Sequence, residues 1–316
     1  MFFGTAPFAC PSLVSLCRCP EVDLIAVVTQ PDRPRGRSLK TSPPAVKELA
    51  TRHELPVLQP ERVRDQVFLE DLRDHGPDLI VVAAYGQILP QALLDLPTHG
   101  CLNVHSSLLP KFRGAAPIQW ALLTDCVTTG VTIMKMDAGM DTGAIVAQES
   151  TAIHADDNAE TLHDRLSLMG GDLLVRTVPE FVAGKIVPRK QAESEVSLAR
   201  KLTKEDGDLN WTESARALWN RVRALNPWPG AYTWISLQGT RQRLKVLRAE
   251  PLPSETAQSG QVIRADQQEL WVACGGGALR LLRVQREGGK PIDAGDFIRG
   301  SSIAVGDCLG VEPSHR

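Results

Sequence analysis

"DLIVVAAYG", residues 78–86, is a continuous apolar, β-branched run closed by a turn residue. A strand wetted on one face alternates apolar with polar residues, so an unbroken run of this length belongs to a strand covered on both faces, as in a parallel sheet. Upstream, "DLIAVVTQ" (23–30) repeats the pattern, and "CLNVH" (101–105) and "GVTIMKM" (130–136) supply further strands. Helical spacing marks "SLVSLCR" (12–18), "AVKELATRH" (45–53) and the long stretch 157–184. Strands alternating with helices predict an α/β domain over residues 1–185, doubly wound and mostly parallel, with ligands at the carboxyl ends of its strands.

Beyond it the pattern changes. Residues 186–203 turn polar and aperiodic, which reads as a linker. "ESARALWNRVRAL" (213–225) then places Ala215, Leu218, Val222 and Leu225 on one helical face, and "NPWPG" (226–230) stops it. Five strand-like runs follow, 231–237, 243–250, 260–266, 269–275 and 278–285, and predict a small OB-like β-barrel domain over 204–316. That fold is often used on nucleic acid, although an interaction barrel with no RNA role fits the same pattern.

Composition agrees with two domains. At 316 residues the chain exceeds a comfortable single core, and 43% hydrophobic with 23% charged residues reads as soluble and globular. No apolar run approaches the roughly 20 residues of a membrane span, and no charged segment precedes an apolar one at the start, so a cytoplasmic location without membrane contact is expected. Seven cysteines, an odd number without CxxC spacing, read as reduced thiols. The net charge of −2 hides an asymmetry: residues 1–199 hold 18 Lys and Arg against 24 Asp and Glu, whereas 200–316 hold 17 against 13. The basic excess lies in the C-terminal part.

Chemistry gathers around the 101–105 strand. Its period of two sends Asn103 and His105 to one face and Leu102 and Val104 to the other. A carboxylate, Asp141 of "DAGMDTG" (137–143), completes a set of amide, imidazole and acid. Such a set suits acyl transfer to an amine, in which a carbonyl oxygen gains charge and the attacking nitrogen loses a proton. With no GxSxG elbow or Cys–His nucleophile, direct attack by the amine is the simpler route. The duller alternatives are a hydrogen-bonded structural histidine and an Asp141 that only shapes a turn. His99, Cys101 and His105 crowd together but match no zinc spacing, so no metal is expected. "GTAPFA" (4–9) lacks the GxGxxG spacing of a nicotinamide site. "QPDRPRGRSLK" (30–40) carries Arg33, Arg35, Arg37 and Lys40 in an aperiodic loop, either simply solvated or able to grip phosphates and stack on bases.

Taken together, "GTAPFACPSL", "TQPDRPRGRSLK", "LNVHSSLLPKFRGAAPIQWALL", "GVTIMKMDAGMDTGAIV", "LTKEDGDLNW", "RALNPWPGAYT", "GALRLLRVQ" and "GDFIRG" resemble the methionyl-tRNA formyltransferase family, from Gly4 to about Gly300. The resemblance implies a Rossmann-like formyltransferase domain followed by a tRNA-binding one, 10-formyltetrahydrofolate as formyl donor, and initiator methionyl-tRNA as acceptor. It matches Asn103, His105 and Asp141 to the catalytic set, and Ser107, Leu108, Leu109 and Pro110 to the tetrahydrofolate-binding segment. It also makes residues 30–45 the basic loop that reaches the tRNA acceptor end, with Arg37 as its key arginine and Arg33, Arg35 and Lys40 beside it. A monomer that binds neither DNA nor metal is implied too. Under this reading Asn103 and His105 donate to the formyl oxygen, while Asp141 orients His105 and helps move the proton. The sequence departs from the family where only Met1–Phe3 precede Gly4, where Pro7 arrives one place late, and where Ser38 and Leu39 replace the common glycine and lysine. A formyltransferase acting on a nucleotide-linked amino sugar, or a non-catalytic RNA-binding relative, remain the alternatives.

Overall fold

In the computed structural model, which describes residues 1–35, 40–237, 239–253 and 257–310, the buried run Ile80–Ala83 pairs in parallel with Phe2–Gly4 on one side and Cys101–His105 on the other. Two compact units form. The first comprises Met1–Pro117, Thr128–Ala152 and Leu162–Ala199. Its seven-stranded sheet runs Ile145–Ala152, Thr128–Lys135, Cys101–His105, Ile80–Ala83, Phe2–Gly4, Val27–Val28, Val57–Leu58. The last five are mutually parallel, and the first two add antiparallel at one edge. The chain builds outward from Phe2–Gly4 to Val57–Leu58 and then returns to the other side, so the winding reverses between Phe2–Gly4 and Ile80–Ala83. Reversal opens a crevice at the carboxyl ends of the strands. There Thr5 Oγ1 and Gln30 Nε2 both donate to the Tyr85 carbonyl, at 2.8 and 3.0 Å, and tie three loops together.

Some elements escape the periodic patterns. Ile145–Ala152 buries its first two residues, half-buries the next three and then alternates between exposed and half-buried, because it is an edge strand of the sheet whose outer side pairs only with Arg189 at Ile145 among the described residues. The helix Gln66–Asp74 buries Phe68, Leu69 and Leu72, but Val67 is 79% exposed and blurs its apolar stripe. The long helix Ala159–Val182 begins where the Asn158 side chain accepts from Glu160 N and Thr161 N, at 2.8 and 3.0 Å, the bonds of an N-cap.

The second unit comprises Ile118–Val127, Ile153–Thr161 and the chain from Arg200. Its antiparallel sheet runs Ala231–Leu237, Thr240–Leu252, Ala278–Arg286, Leu270–Ala273, Val262–Ala265, with Ile292–Asp293 beside Ala278–Arg286. Its two end strands do not pair with each other among the described residues, so the sheet is a half-barrel, the open form of the expected small barrel. Helix Ala215–Leu225, capped by Ser214 through Ala217 N, contributes Ala215, Leu218 and Val222 to a core shared with Val246, Val272, Leu279 and Phe297. Arg223 is buried at 8% exposure, stacked on Trp219 at 4.0 Å and hydrogen-bonded to Asn220 Oδ1 at 2.9 Å and the His154 carbonyl at 3.2 Å.

At the start of this unit, Asp206 accepts from Thr203 N at 2.7 Å and from Arg200 Nη1 at 2.8 Å. The Arg200 hydrogen bonds hold its carboxyl down at about 2. In the unfolded chain the same group titrates at about 3.9. A depressed folded value stabilises the fold above the unfolded pKa, and that contribution disappears as the pH falls toward 2. Arg200 is half exposed, so solvent screening limits the amount to about 1–2 kcal/mol. Asp206→Asn is therefore expected to lower the urea stability of the chain by that amount at pH 6. At pH 2, where half of the folded-state carboxyls already carry a proton, urea unfolding is expected to show a difference of less than about 0.5 kcal/mol between the two proteins.

Candidate functional site

Strand Cys101–His105 ends at the crevice with its two polar side chains on one face. His105 is 6% exposed, and its Nε2 lies 3.0 Å from the Phe112 carbonyl. A carbonyl only accepts, so Nε2 carries the hydrogen and Nδ1 is the free position of the neutral ring. Nδ1 faces Asp141 Oδ1 at 3.7 Å. Asp141 Oδ2 in turn accepts from Gly114 N at 2.8 Å. Asn103 differs from both: it is half-buried, and its carboxamide makes no hydrogen bond to any described residue. The structure thus brings His105 and Asp141 together and leaves an unengaged amide donor two residues back on the same strand face. His105, expected to donate to the formyl oxygen, already spends its Nε2 hydrogen on Phe112.

Backbone geometry explains why these groups hold their places. Phe112 sits at φ +61°, which costs a bulky side chain about 1–3 kcal/mol, and Ser197 Oγ accepts from its N–H at 2.9 Å. Gly114 sits at φ +120°, and a Cβ there would lie 2.7 Å from the Ala199 carbonyl oxygen, so glycine alone fits beside Asp141. Asp141 itself takes φ +54°, within a turn that Asp137 closes by accepting from Gly139 N at 3.0 Å and Thr142 Oγ1 at 2.6 Å.

The segment Ser107–Pro110 follows directly, with a cis bond between Leu109 and Pro110. Thr132 Oγ1 donates to the Ser107 carbonyl at 2.6 Å and accepts from Leu109 N at 3.0 Å, and Gln148 Nε2 donates to the Leu109 carbonyl at 2.8 Å. Ser107 Oγ closes the turn on the Lys111 carbonyl at 2.6 Å. Leu109 packs on Met134 and Ile145, while Leu108 is only half-buried. Most polar backbone groups of this turn are therefore already engaged, and its form is set in advance by Thr132 and Gln148.

Arg33 and Arg35 lie on a short strand, Arg33–Arg35, paired antiparallel with Lys40–Ser42. Arg33 is exposed, with Glu61 at 3.6 Å. Arg37 lies outside the described residues. Of the crowded zinc-like trio, Cys101 is buried with its thiol 4.0 Å from two carbonyls, and no group of three His, Cys, Asp or Glu is placed to hold a metal among the described residues. A cavity of about 260 Å³ lined by Leu16, Ile25, Pro77 and Leu79 lies by the amino ends of the parallel strands and contains none of these residues.

Sequence reasoning passed over Thr132, Gln148, Gln191 and Ser197. Residues 186–199, polar and aperiodic in sequence, group with the first unit and reach the site through their side chains. No spacing rule marks a residue whose work is to hold another loop's backbone.

Comparison with known proteins adds the family. The formyl transferase family matches residues 3–178, and the formyl transferase C-terminal domain matches 201–302. The methionyl-tRNA formyltransferase of Geotalea daltonii is 47% identical over 98% of this chain and 97% of its own, and that of Geobacter sulfurreducens 44% over 98% and 96%. The chain belongs to the methionyl-tRNA formyltransferase family. This formyltransferase also shares its fold with a solved N-formyltransferase of Helicobacter canadensis, in complex with folinic acid and dTDP-3-aminofucose, at a TM-score of 0.65 and 16% identity over 90% of this chain and 98% of that one. A HypX of Aquifex aeolicus, solved with tetrahydrofolic acid, aligns at a TM-score of 0.59 and 16% identity over 94% of this chain and 46% of that one. The formyltransferase thus belongs to a family of enzymes that transfer formyl groups, and no described helix is long and apolar enough to cross a membrane.

Proposed function

We propose that the formyl donor is 10-formyltetrahydrofolate and that its formyl group passes to the amino group of initiator methionyl-tRNA through Asn103, His105 and Asp141. The observation that carries this reading is the unengaged Asn103 carboxamide beside a His105–Asp141 pair at the carboxyl end of a central strand. An α-amine with pKa about 8 is partly neutral near pH 7 and attacks the formyl carbon directly. As the new C–N bond forms, the formyl oxygen becomes an oxyanion, and the Asn103 N–H is the free donor for it. The attacking nitrogen must then lose a proton and the departing folate nitrogen gain one. His105 takes the first at Nδ1, where Asp141 faces the resulting imidazolium, and returns it as the old C–N bond breaks.

Ser107–Pro110 forms the wall against the tetrahydrofolate, with Leu108 its more exposed side chain. Arg33, Arg35, Arg37 and Lys40 serve the acceptor end of the tRNA, and residues 204–316, which follow a catalytic domain of residues 1–185 in sequence, act as the tRNA-binding domain. Support for the latter role comes from the sheet of the second unit: Arg243 stacks on Tyr232 at 4.2 Å and Arg241 on Trp234 at 4.1 Å, the interleaving of cations and rings that suits phosphates and bases. The enzyme acts as a monomer in the cytoplasm, where translation starts.

The test offers labelled formyl donor with charged initiator tRNA and, in parallel, with a nucleotide-linked amino sugar. Label is expected in the tRNA alone. Label in the sugar alone would overturn the acceptor assignment, and label in neither would leave an RNA-binding protein without the activity. The identity of 47% to a methionyl-tRNA enzyme against 16% to the amino-sugar one favours the first outcome.

A further inference from the structure

We infer that Gln191 is a positioning residue for Asp141, acting from a segment outside the catalytic loops. The inference rests on the reading of Asp141 as a catalytic group. Gln191 is 7% exposed, and its single amide grips both sides of the Asp141 turn: Nε2 donates to the Asp141 carbonyl and to the Gly143 carbonyl, each at 2.8 Å. Its Oε1 accepts from Arg113 Nε at 2.9 Å. Both amide hydrogens and the acceptor are thus used, and a buried amide with all its partners is rigid. Arg113, itself 6% exposed, is anchored at its other end by Glu193 at 3.0 Å.

The connections close on themselves. Arg113 precedes Gly114, whose N–H holds the Asp141 carboxylate at 2.8 Å, while Gln191, held by Arg113, holds the Asp141 main chain. Side chain and backbone of one residue are therefore tethered to the same anchor. The tether matters because Asp141 adopts φ +54° and stands 3.7 Å from His105 Nδ1, slightly beyond a hydrogen bond. A catalytic pair at that separation has to close by less than an ångström when substrate enters, and slack in the turn would let the carboxylate settle elsewhere. Gln191 touches neither reacting nitrogen nor the formyl carbon under this reading. It sets how far Asp141 can stray.

The test uses Gln191→Glu, which keeps the volume and the Arg113 partner but replaces both donated hydrogens by oxygen facing two carbonyls, and Gln191→Leu, which removes all three bonds. Each is made in the full chain and again in an Asp141→Ala background, with kcat, both KM values and the thermal midpoint measured. Expected is a fall in kcat of about 10- to 100-fold with each KM within about twofold, since misplacement of a reacting group by an ångström costs on that order. In the Asp141→Ala background the same changes are expected to lower kcat by less than about twofold, because a residue that works only through another has nothing left to lose. Should both Gln191 variants fail to fold, Glu193→Ala, at a 79% exposed carboxylate, loosens Arg113 alone and is expected to lower kcat about threefold in the native background only.

Unchanged kcat in Gln191→Glu, or an equal loss in the two backgrounds, overturns the positioning role. Should Asp141→Ala alone retain native turnover, the catalytic reading of Asp141 fails first and takes this inference with it, an outcome distinct from the other two.

Discussion

Asn103→Ala is expected to lower kcat by two to three orders of magnitude, with the KM for donor and for tRNA each within about threefold, as for loss of an oxyanion donor worth ~3–4 kcal/mol. The expectation comes from an asymmetry on one strand face. His105 spends its Nε2 hydrogen on Phe112, whereas Asn103 spends neither of its own on any described residue. A half-buried carboxamide left unpaired at the end of a central strand is costly to keep unless something arrives to use it. If the carbonyl oxygen of the formyl group gains its charge there, the bond strengthens only in the transition state, and its loss appears in kcat. If instead Asn103 held the folate ring in the ground state, the same variant would raise the donor KM and leave kcat alone. Single-turnover rates with saturating donor separate the two, and a kcat within fivefold of native would remove Asn103 from the chemistry.

How much of this was readable beforehand follows from what each residue does. Ile80–Ala83 was legible because a strand buried on both faces has no choice but to be apolar throughout. Asn103 and His105 shared a face by period two, a rule that needs no tertiary knowledge. Asp141 was legible as a carboxylate between glycines, but its partners were not: Gly114 and Gln191 lie 27 and 50 residues away, and only the fold makes them neighbours. The tract 186–203 reads as a linker because polarity and burial usually exclude each other, and Gln191 and Arg113 are buried by satisfying one another. Ile145–Ala152 hid for the opposite reason, since an edge strand half in solvent never builds the run that betrays a central one. Five strand-like runs announce a small barrel, and because nothing in them fixes whether the end strands meet, its open, half-barrel form is legible only in the fold.

Asp141→Asn is expected to cost about a thousand- to ten-thousandfold in kcat while leaving the fold intact, the upper end being the loss seen when a carboxylate behind a catalytic imidazole is made an amide. The substitution changes almost no volume, and an amide oxygen can still accept from Gly114 N, so the turn has no reason to move. What changes is the group opposite His105 Nδ1. In the native pair a carboxylate faces a ring nitrogen whose partner nitrogen already donates to Phe112, so a proton arriving at Nδ1 meets a negative charge 3.7 Å away. An amide offers no charge to the imidazolium, and its N–H can bond to the Nδ1 lone pair and cap the very site the proton must reach. Donor and tRNA affinity are expected to stay within about threefold, since neither function uses that proton. Thermal unfolding at the native midpoint together with retained tRNA binding would exclude collapse of the turn as the cause. Turnover within tenfold of native would instead mean that water carries the proton between the two nitrogens unaided, and that Asp141 serves only to shape its loop.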